Sequence, residues 1–548
     1  MDSIILNQSQ QNSIKKLDNF IDSIYDKFYI LKGSAGTGKT TVITHFLNNP
    51  KFNSYKIAFS ATTNKAVSVL KQMSPFKEDN SKYSFLTIHK LLNIRRKINK
   101  DGKEEFNMVE DNKKLVKSMS IFQYDIIIID ECSMLSNEII LSLQKLKNLR
   151  GKIIFIGDPA QLPPVNEDSH IFNMKDIPSY ELKEIMRYKG NIVNLANKVR
   201  DLVFNKDTKI KFKEYKCDTI SINKKYEKWF NSYLVNLKEG LSDSNLDNLP
   251  ICLTYTNRQT EKINLGVRKE LFGDNIMRFM ENEIIIFNNY YLLNKNKSAY
   301  YTSQKSRVKK VEMNVIKPKY LGLCDICNNN MEKETMICGH KICSGCIKKK
   351  IECSICLQTQ TSIEDFIGKG DIIGKGDIIG KGDIMNNTGD IMNNTGYINT
   401  KRSKIIDRFD SIFGCFKELE IKVWKLVLQN DDIVYVVNDT KEYNELIETL
   451  STKIKKFRIF LNKIYGKCKC YEELMEVIWS YLYESVIDIF TDVSYGYCIT
   501  THKSQGSTFN NVYVDMNNII FKNTNMEESY RCLYTSITRT SNKLGILI

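Results

Sequence analysis

Residues 33–40, Gly33-Ser34-Ala35-Gly36-Thr37-Gly38-Lys39-Thr40, constrain this chain more than any other stretch. They read G-x4-G-K-T between the apolar run Tyr29-Ile30-Leu31 and the helix-like Thr41-Val42-Ile43-Thr44-His45-Phe46-Leu47. A strand that runs into a glycine-rich turn and then a helix aims successive backbone N–H groups at one point, where phosphates are held. In that geometry the Lys39 ammonium reaches the outer phosphates and the Thr40 hydroxyl sits on Mg²⁺. A nucleoside triphosphate bound on an α/β fold is the expectation.

Hydrolysis needs a second site. Asp125-Ile126-Ile127-Ile128-Ile129-Asp130-Glu131 is a continuous apolar run ending in two carboxylates, the pattern of a parallel strand buried on both faces. Asp130 at its carboxyl end is placed to hold Mg²⁺, and Glu131 to orient or deprotonate the attacking water. Further strand-like segments, Lys56–Ser60 and Lys152–Ile156, alternate with helical stretches, and the second leads into Gly157-Asp158-Pro159-Ala160-Gln161-Leu162-Pro163-Pro164. Ligand-binding loops sit at the carboxyl ends of such strands, so Gln161 is a candidate contact to the terminal phosphate.

Lys+Arg number 80 against 64 Asp+Glu, a formal charge of +16 with pI ≈ 9.0, which favours a polyanionic partner such as nucleic acid. The 548-residue length fits three or four domains. No apolar segment approaches membrane-spanning length and the amino terminus does not read as a secretory signal, so a soluble intracellular protein without a membrane partner is expected. Fifteen cysteines then read as thiols or metal ligands before disulfides.

The ordered segments GSAGTGKT, SATTNKA, TIHKLL, DECSM, GDPAQLPPV, TYTNRQTEKIN, THKSQGSTFNNVYVD and LYTSITRT span residues 33 to 540 and together resemble superfamily 1 DNA helicases, in the RecD-like and Dda-like branch. The resemblance implies two RecA-like domains that clamp ATP between them and walk 5′ to 3′ on single-stranded DNA, acting in replication, recombination or repair. It implies adenine recognition by Gln10, with Gln8 and Gln11 as neighbours of the same type, and two arginines approaching the γ-phosphate, Arg187 and Arg539. For the DNA strand it points to Thr62, Thr63, Asn64, Lys65, Thr87 and His89 in the first domain. In the second it points to Thr501, His502, Lys503 and Gln505, with Asn257 beside them. A basic insert, Arg95–Lys100, then Asp101-Gly102, then Lys103–Val109, reads as a hairpin. The family carries a strand-separating pin there, so Phe106 or Ile98 is the expected stacking residue at the fork.

Cys324, Cys327, Cys338, His340, Cys343, Cys346, Cys353 and Cys356 have the spacing of a RING finger, which would hold two Zn²⁺ ions and draw most of its folding energy from them. Ile326 matches the contact to a ubiquitin-conjugating enzyme, whereas Ser354 and Leu357 depart from the pattern of active ligases. A docking or structural zinc module and a RING-type E3 ubiquitin ligase both remain open. The repeats of Gly-Lys-Gly-Asp-Ile and Met-Asn-Asn-Thr-Gly that follow read as a flexible linker.

The expected architecture is thus α/β, with two RecA-like P-loop domains (parallel sheets flanked by helices), a hairpin insert, a small β-barrel-like insert and a RING-like zinc module. Motor domain 1 takes residues 1–190 with the hairpin at 94–120; motor domain 2 takes 191–264 and 496–548. A β-barrel-like and helical accessory region takes 265–319 and 398–495, the zinc finger 320–358 and the repeat linker 359–397. ATP, Mg²⁺ and Zn²⁺ are the implied ligands, and single-stranded and forked DNA the partners. An adaptor of the ubiquitin system carried to DNA by the motor, and an RNA helicase, are the alternative functions. The Asn, Ile and Lys abundance suggests an AT-rich genome, and the family resemblance would suit a large DNA virus protein, at work in a nucleus or a cytoplasmic replication site.

Overall fold

The computed structural model describes residues 6–34, 36–76, 78, 82–107, 120–146, 149–164, 167–168, 170–184, 190–205, 210–293, 299–317, 333–335, 341–343, 419–465, 475–476, 478–480 and 482–548. Its first sheet has six parallel strands in the order Tyr83–Thr87, Ile57–Ala61, Ile126–Ile129, Lys152–Gly157, Phe28–Gly33, Ser179–Leu182. Period-two alternation explains why the central strands are apolar throughout. Ile126 and Ile128 point to one core with Val42, Phe46 and Phe59, while Ile127 and Ile129 point to the opposite core with Leu91, Ile140 and Leu143. Helices Gln8–Asp22, Lys39–Leu47 and Asn64–Met73 contribute to the first face, and Asn137–Gln144 to the second.

The second sheet has five parallel strands in the order Cys498–Thr500, Ile251–Thr254, Phe509–Asp515, Thr540–Leu547, Ile220–Asn223. Helices Asn191–Phe204 and Met526–Thr538 pack on it through Leu195, Val199, Cys532, Leu533 and Ile537. Ala160 and Leu162 belong to this second core although they follow a strand of the first sheet. Each is wholly buried, so the loop after Lys152–Gly157 anchors one sheet to the other.

The chain between the second sheet's paired strands Ile251–Thr254 and Cys498–Thr500 forms an antiparallel sheet ordered Ile433–Val437, Ile421–Leu428, Lys305–Ile316, Ile284–Phe287, Val493–Tyr495. Val308/Lys310 carries a register shift, and a bond from Thr491 N–H to the Tyr435 carbonyl (2.9 Å) brings the two ends of the sheet together around Phe287, Tyr300, Val308, Leu426 and Val434. Inside the same region Arg268 and Glu283 form a buried ion pair, with the guanidinium 4.0 Å from the Tyr495 ring centroid.

Arg95–Ile98 and Glu104–Asn107 form an antiparallel hairpin. Its turn does not project freely. The Trp479 indole N–H donates to the Lys100 carbonyl (3.2 Å), the Tyr483 hydroxyl to the Gly102 carbonyl (3.2 Å), and Asp101 pairs with Arg458 of helix Thr440–Tyr465. Ile98, the sequence's candidate for a stacking tip, is 7% exposed and sits in a core with Leu450, Ile454, Phe457 and Trp479. The Phe106 side chain lies outside the described residues.

The expectation of a RING-like zinc module, with its Zn²⁺ ions and its ubiquitin-conjugating enzyme, is corrected. Among the described residues no group of three or more His, Cys, Asp or Glu side chains is placed to hold a metal ion. The described thiols are unsuited to such a site: Cys132, Cys252, Cys498 and Cys532 lie in apolar cores, where burial pushes each thiol up and disfavours the thiolate a zinc ion needs. Cys324, Cys327, Cys338, His340, Cys346, Cys353 and Cys356 lie outside the described residues, and so does the repeat linker. Cys343 falls in a two-stranded antiparallel ribbon, opposite Lys333. Among the described residues no helix is long and apolar enough to cross a membrane.

Gly102 has φ +75°, and a Cβ there would lie 2.6 Å from the Trp479 ring. Gly102→Ala is expected to cost on the order of 1–3 kcal/mol, through backbone strain and overpacking together. Urea unfolding should show that loss, and limited proteolysis should cut the hairpin faster than in the wild type.

Candidate functional site

The glycine-rich loop follows strand Phe28–Gly33 and ends at Gly38, which caps helix Lys39–Leu47 from a left-handed conformation (φ 80°). Gly36 is left-handed as well (φ 82°), so the loop needs glycine at both places to fold its N–H groups inward. Lys39 Nζ lies back on the loop, donating to the carbonyls of Gly33 (2.8 Å) and Ser34 (3.0 Å), while the Thr37 hydroxyl donates to the Ser34 carbonyl (2.9 Å). Thr40 is exposed at the helix start and Ala35 lies outside the described residues.

Gln10 packs under this loop, 3% exposed. Its Oε1 accepts from Asn7 N–H (3.1 Å) in a capping box, and its Nε2 donates to the Thr37 carbonyl (3.2 Å). One end of the amide therefore caps its own helix while the other supports the loop. A Cβ on Gly38 would meet the Gln10 amide nitrogen at 2.5 Å, a close approach open only to glycine.

Asp130 follows strand Ile126–Ile129, and its carboxylate accepts from the Glu131 N–H (2.8 Å). Burial, and then the neighbouring Glu131 charge, push Asp130 up to about 6 against the partial relief given by that N–H and by Lys39. A buried carboxylate held near a lysine is a fitting ligand for a divalent cation, and Mg²⁺ is commonly held by one or two carboxylates together with substrate phosphates. Glu131 itself is left-handed (φ 51°, ψ 41°), an uncommon conformation for a residue with a Cβ, here at the carboxyl end of the acidic strand.

Glu131 meets groups from the opposite sheet. Arg539, 6% exposed at the end of helix Met526–Thr538, places Nη1 3.9 Å from Glu131 Oε1. Gln161 lies between them. In the amide orientation that satisfies both neighbours, its nitrogen donates to Glu131 Oε2 (2.9 Å) and its oxygen accepts from Arg539 Nη2 (3.0 Å). Arg539 is steadied by the carbonyls of Thr535 (3.3 Å) and Ser507 (3.2 Å). Arg187, the other candidate arginine, lies outside the described residues.

Sequence reasoning missed the residues that hold Gln161 in place. Arg531 donates to the carbonyls of Pro159 and Gln161, and the Tyr534 hydroxyl donates to Asp158 Oδ2 (2.5 Å). Asp158 also faces Arg200 at 3.7 Å, which pairs in turn with Glu181 (2.8 Å). Arg531 and Tyr534 stand three residues apart on the helix that ends at Arg539, so one helical face carried the signal.

The DNA candidates divide into committed and available groups. Thr63 caps helix Asn64–Met73 (Oγ1 from Ala66 N–H, 3.1 Å) and Thr87 caps Ile88–Leu91 (3.3 Å from Lys90 N–H). Thr501 is fully buried, bonded to the Thr254 carbonyl and Ser536 Oγ (2.8 Å). Gln505 crosses to the first sheet's loop and donates to the Leu162 carbonyl (3.1 Å). Lys65 Nζ donates to the Ser303 carbonyl (2.9 Å), and burial brings it down to about 8. Ser303 Oγ donates in turn to the Lys503 carbonyl (2.7 Å), and Lys503 Nζ to Asn288 Oδ1 (2.8 Å). The Ser303 turn of the inserted sheet thus ties together two segments that the sequence assigned to the strand. Asn64 and Asn257 are exposed at the starts of their helices, and the Thr62 hydroxyl is buried without a hydrogen-bond partner. His89 and His502 are held below their ordinary value by burial, with Glu138 and Glu528 opposing that shift.

A family model described as "AAA domain" matches residues 19–167, and one described as "UvrD-like helicase C-terminal domain" matches residues 495–547. The uncharacterized protein R530 of Acanthamoeba polyphaga mimivirus is 28% identical over 580 residues, covering 99% of this chain and 100% of that protein. The ATP-dependent DNA helicase dda of Enterobacteria phage T4 is 27% identical over 270 residues, covering 47% of this chain and 55% of the phage enzyme. Among solved structures, the Pif1 helicase from Candida albicans aligns with 15% identity and a TM-score of 0.42 over 99% of this chain and 94% of that one.

Because Asp130 rises from 3.8 to about 6, its ionised form weakens the nucleotide-free fold: the penalty is absent near pH 4, grows up to about pH 6 and is complete above it. Asp130→Asn should therefore melt higher than the wild type at pH 7.5 without nucleotide, the difference vanishing near pH 4. The same variant should lose the extra stabilisation that Mg²⁺ and ATP give the wild type in a thermal-shift titration.

Proposed function

We propose that this chain couples ATP turnover to 5′–3′ travel along single-stranded DNA: it is an ATP-dependent DNA helicase of the superfamily 1 type, acting on single-stranded and forked DNA. The observation that carries the reading is the meeting of Glu131, Gln161 and Arg539 at the seam between two parallel sheets. A nucleotide on the loop of the first sheet lies where a guanidinium from the second sheet reaches its terminal phosphate. Hydrolysis then depends on how the two sheets stand against each other.

In this mechanism the loop N–H groups and Lys39 hold the phosphates, with Lys39 leaving the Gly33 and Ser34 carbonyls for the β and γ oxygens. Asp130 and Thr40 would hold Mg²⁺, which when bound would supply neutralisation of charge on the transferred phosphoryl. Glu131 orients the attacking water. Arg539 spreads its charge over the γ-phosphoryl oxygens, a contribution of the kind worth roughly 10³–10⁵ in rate. Gln161 touches both Glu131 and Arg539, so loss of the γ-phosphate is felt at once on both sides of the seam. Arg531, Tyr534 and Gln505 carry that change into helix Met526–Thr538 and the segment 501–505.

For the DNA track, Asn64, Asn257 and His502 supply side-chain contacts to phosphates, which read no sequence, and Lys503 adds a cation when it leaves Asn288. Lys65 joins them when it leaves the Ser303 carbonyl. The full-length likeness to a mimivirus protein supports a large DNA virus as the setting, with replication, recombination or repair of its genome as the process.

Arg539→Ala is expected to lower DNA-stimulated ATP turnover by 10³-fold or more while ATP binding persists, and Lys39→Ala to abolish turnover and unwinding alike. Steady-state ATPase assays with DNA and with RNA, beside unwinding of duplexes bearing a 5′ or a 3′ tail, check the reading. ATP turnover that no oligonucleotide accelerates would overturn it. Stimulation by RNA alone would make the chain an RNA translocase.

A further inference from the structure

Helix Thr440–Tyr465 carries its surface charge in two blocks. Its exposed acids, Glu442, Glu445 and Glu448, lie in the first nine residues. From Thr449 to Tyr465 there is no acidic residue, while Lys455, Lys456 and Lys463 are exposed and Lys453 and Arg458 half-buried. Leu450, Ile454, Phe457 and Leu461 recur at helical spacing and are buried, so the lysines face away from the core. The helix dipole accounts for a cation in the last turn, but Lys455 and Lys456 stand more than two turns earlier.

The hairpin docks against this basic half, not the acidic one. Arg458 is spent on Asp101, Trp479 holds the Lys100 carbonyl, and the exposed Lys103 lies in the same turn. The hairpin turn and the exposed lysines, on the side of the helix away from the core, are thereby carried on one packed unit. Lys455 to Lys463 spans about 12 Å of helix, the rise of three or four phosphates along one strand of a duplex at ~3.4 Å each. The helix exposes no aromatic side chain among its described residues, only Ile459 as a large apolar group. Single strands are held by stacking bases on aromatics, whereas this face offers phosphates fixed charges alone.

We propose that the docked hairpin and the basic half of helix Thr440–Tyr465 form a second nucleic-acid surface, one that takes the phosphates of the duplex arm ahead of the fork. This rests on the helicase reading and deepens it. The duplex would be braced beside the hairpin while the seam between the sheets pulls one strand past it.

The test uses the full chain with Lys455, Lys456 and Lys463 replaced together by Gln, and Glu442, Glu445 and Glu448 replaced by Gln as a control. Binding is measured from 50 to 200 mM salt on a forked duplex with a 5′ tail and on the tail strand alone. Losing three phosphate contacts should flatten the slope of log affinity against log salt for the fork by about 2.7 and weaken fork binding about tenfold or more at low salt. Tail-strand affinity, tail-stimulated ATP turnover and helical circular dichroism should stay at wild-type values, and the acidic-half control should not lose fork affinity. An unchanged fork slope, or equal loss on fork and tail, overturns the proposal. A wild-type chain whose ATP turnover ignores the tail strand would instead overturn the helicase reading itself.

Discussion

Everything in this molecule turns on a half-buried carboxylate that meets a buried guanidinium across two sheets. Glu131 and Arg539 approach to 3.9 Å with Gln161 hydrogen-bonded to both. Charges withdrawn from water are costly unless paired and hydrogen-bonded, and Gln161 supplies hydrogen bonds to both members of the pair. The surrounding contacts have the same logic. Arg531 and Gln505 reach main-chain carbonyls of the loop carrying Gln161, and Tyr534 reaches the buried Asp158 beside it.

Rigid support on each side makes a small change at the seam consequential. Four consecutive isoleucines before Asp130 fill both faces of the first sheet, so the acidic pair cannot drift without disturbing two cores. On the other side, the helix that ends at Arg539 is packed through Cys532, Leu533, Tyr534 and Ile537. Ala160 and Leu162 plug the connecting loop into that second core. A shift of Gln161 is thereby handed to a packed body rather than lost in a mobile loop.

The inserted regions bring separate surfaces to the same task. The Ser303 turn is left-handed (φ 65°) and binds Lys65 in the first turn of helix Asn64–Met73 and the main chain at Lys503. Farther out, the hairpin is clasped by Trp479, Tyr483 and Arg458, which converts a two-stranded ribbon, marginal on its own, into a fixed wedge. Burial of Ile98 is part of that clasp. A residue that looked like a free tip in the sequence is instead the root of the hairpin's attachment.

What the sequence by itself determined was local. Gly33–Thr40, the isoleucine strand with Asp130 and Glu131, and the turn at Asp101-Gly102 were legible because each depends on spacing within one short segment, through glycine conformation, period-two burial or turn chemistry. Only the tertiary structure decided what those segments do to one another. Lys65 and Thr501 carry the side chains of strand-binding residues, yet Lys65 is spent on the Ser303 carbonyl and Thr501 is buried against Ser536. Arg531, Tyr534 and Trp479 act on partners more than three hundred residues away. Cysteine spacing suggested a zinc centre; among the described residues no side chains assemble one, and the described thiols Cys132, Cys252, Cys498 and Cys532 sit in apolar cores that disfavour the thiolate. The division follows from range: backbone geometry and burial periodicity act over a few residues, while charge pairing, packing and coordination act over a few ångströms, and only the folded chain relates the two.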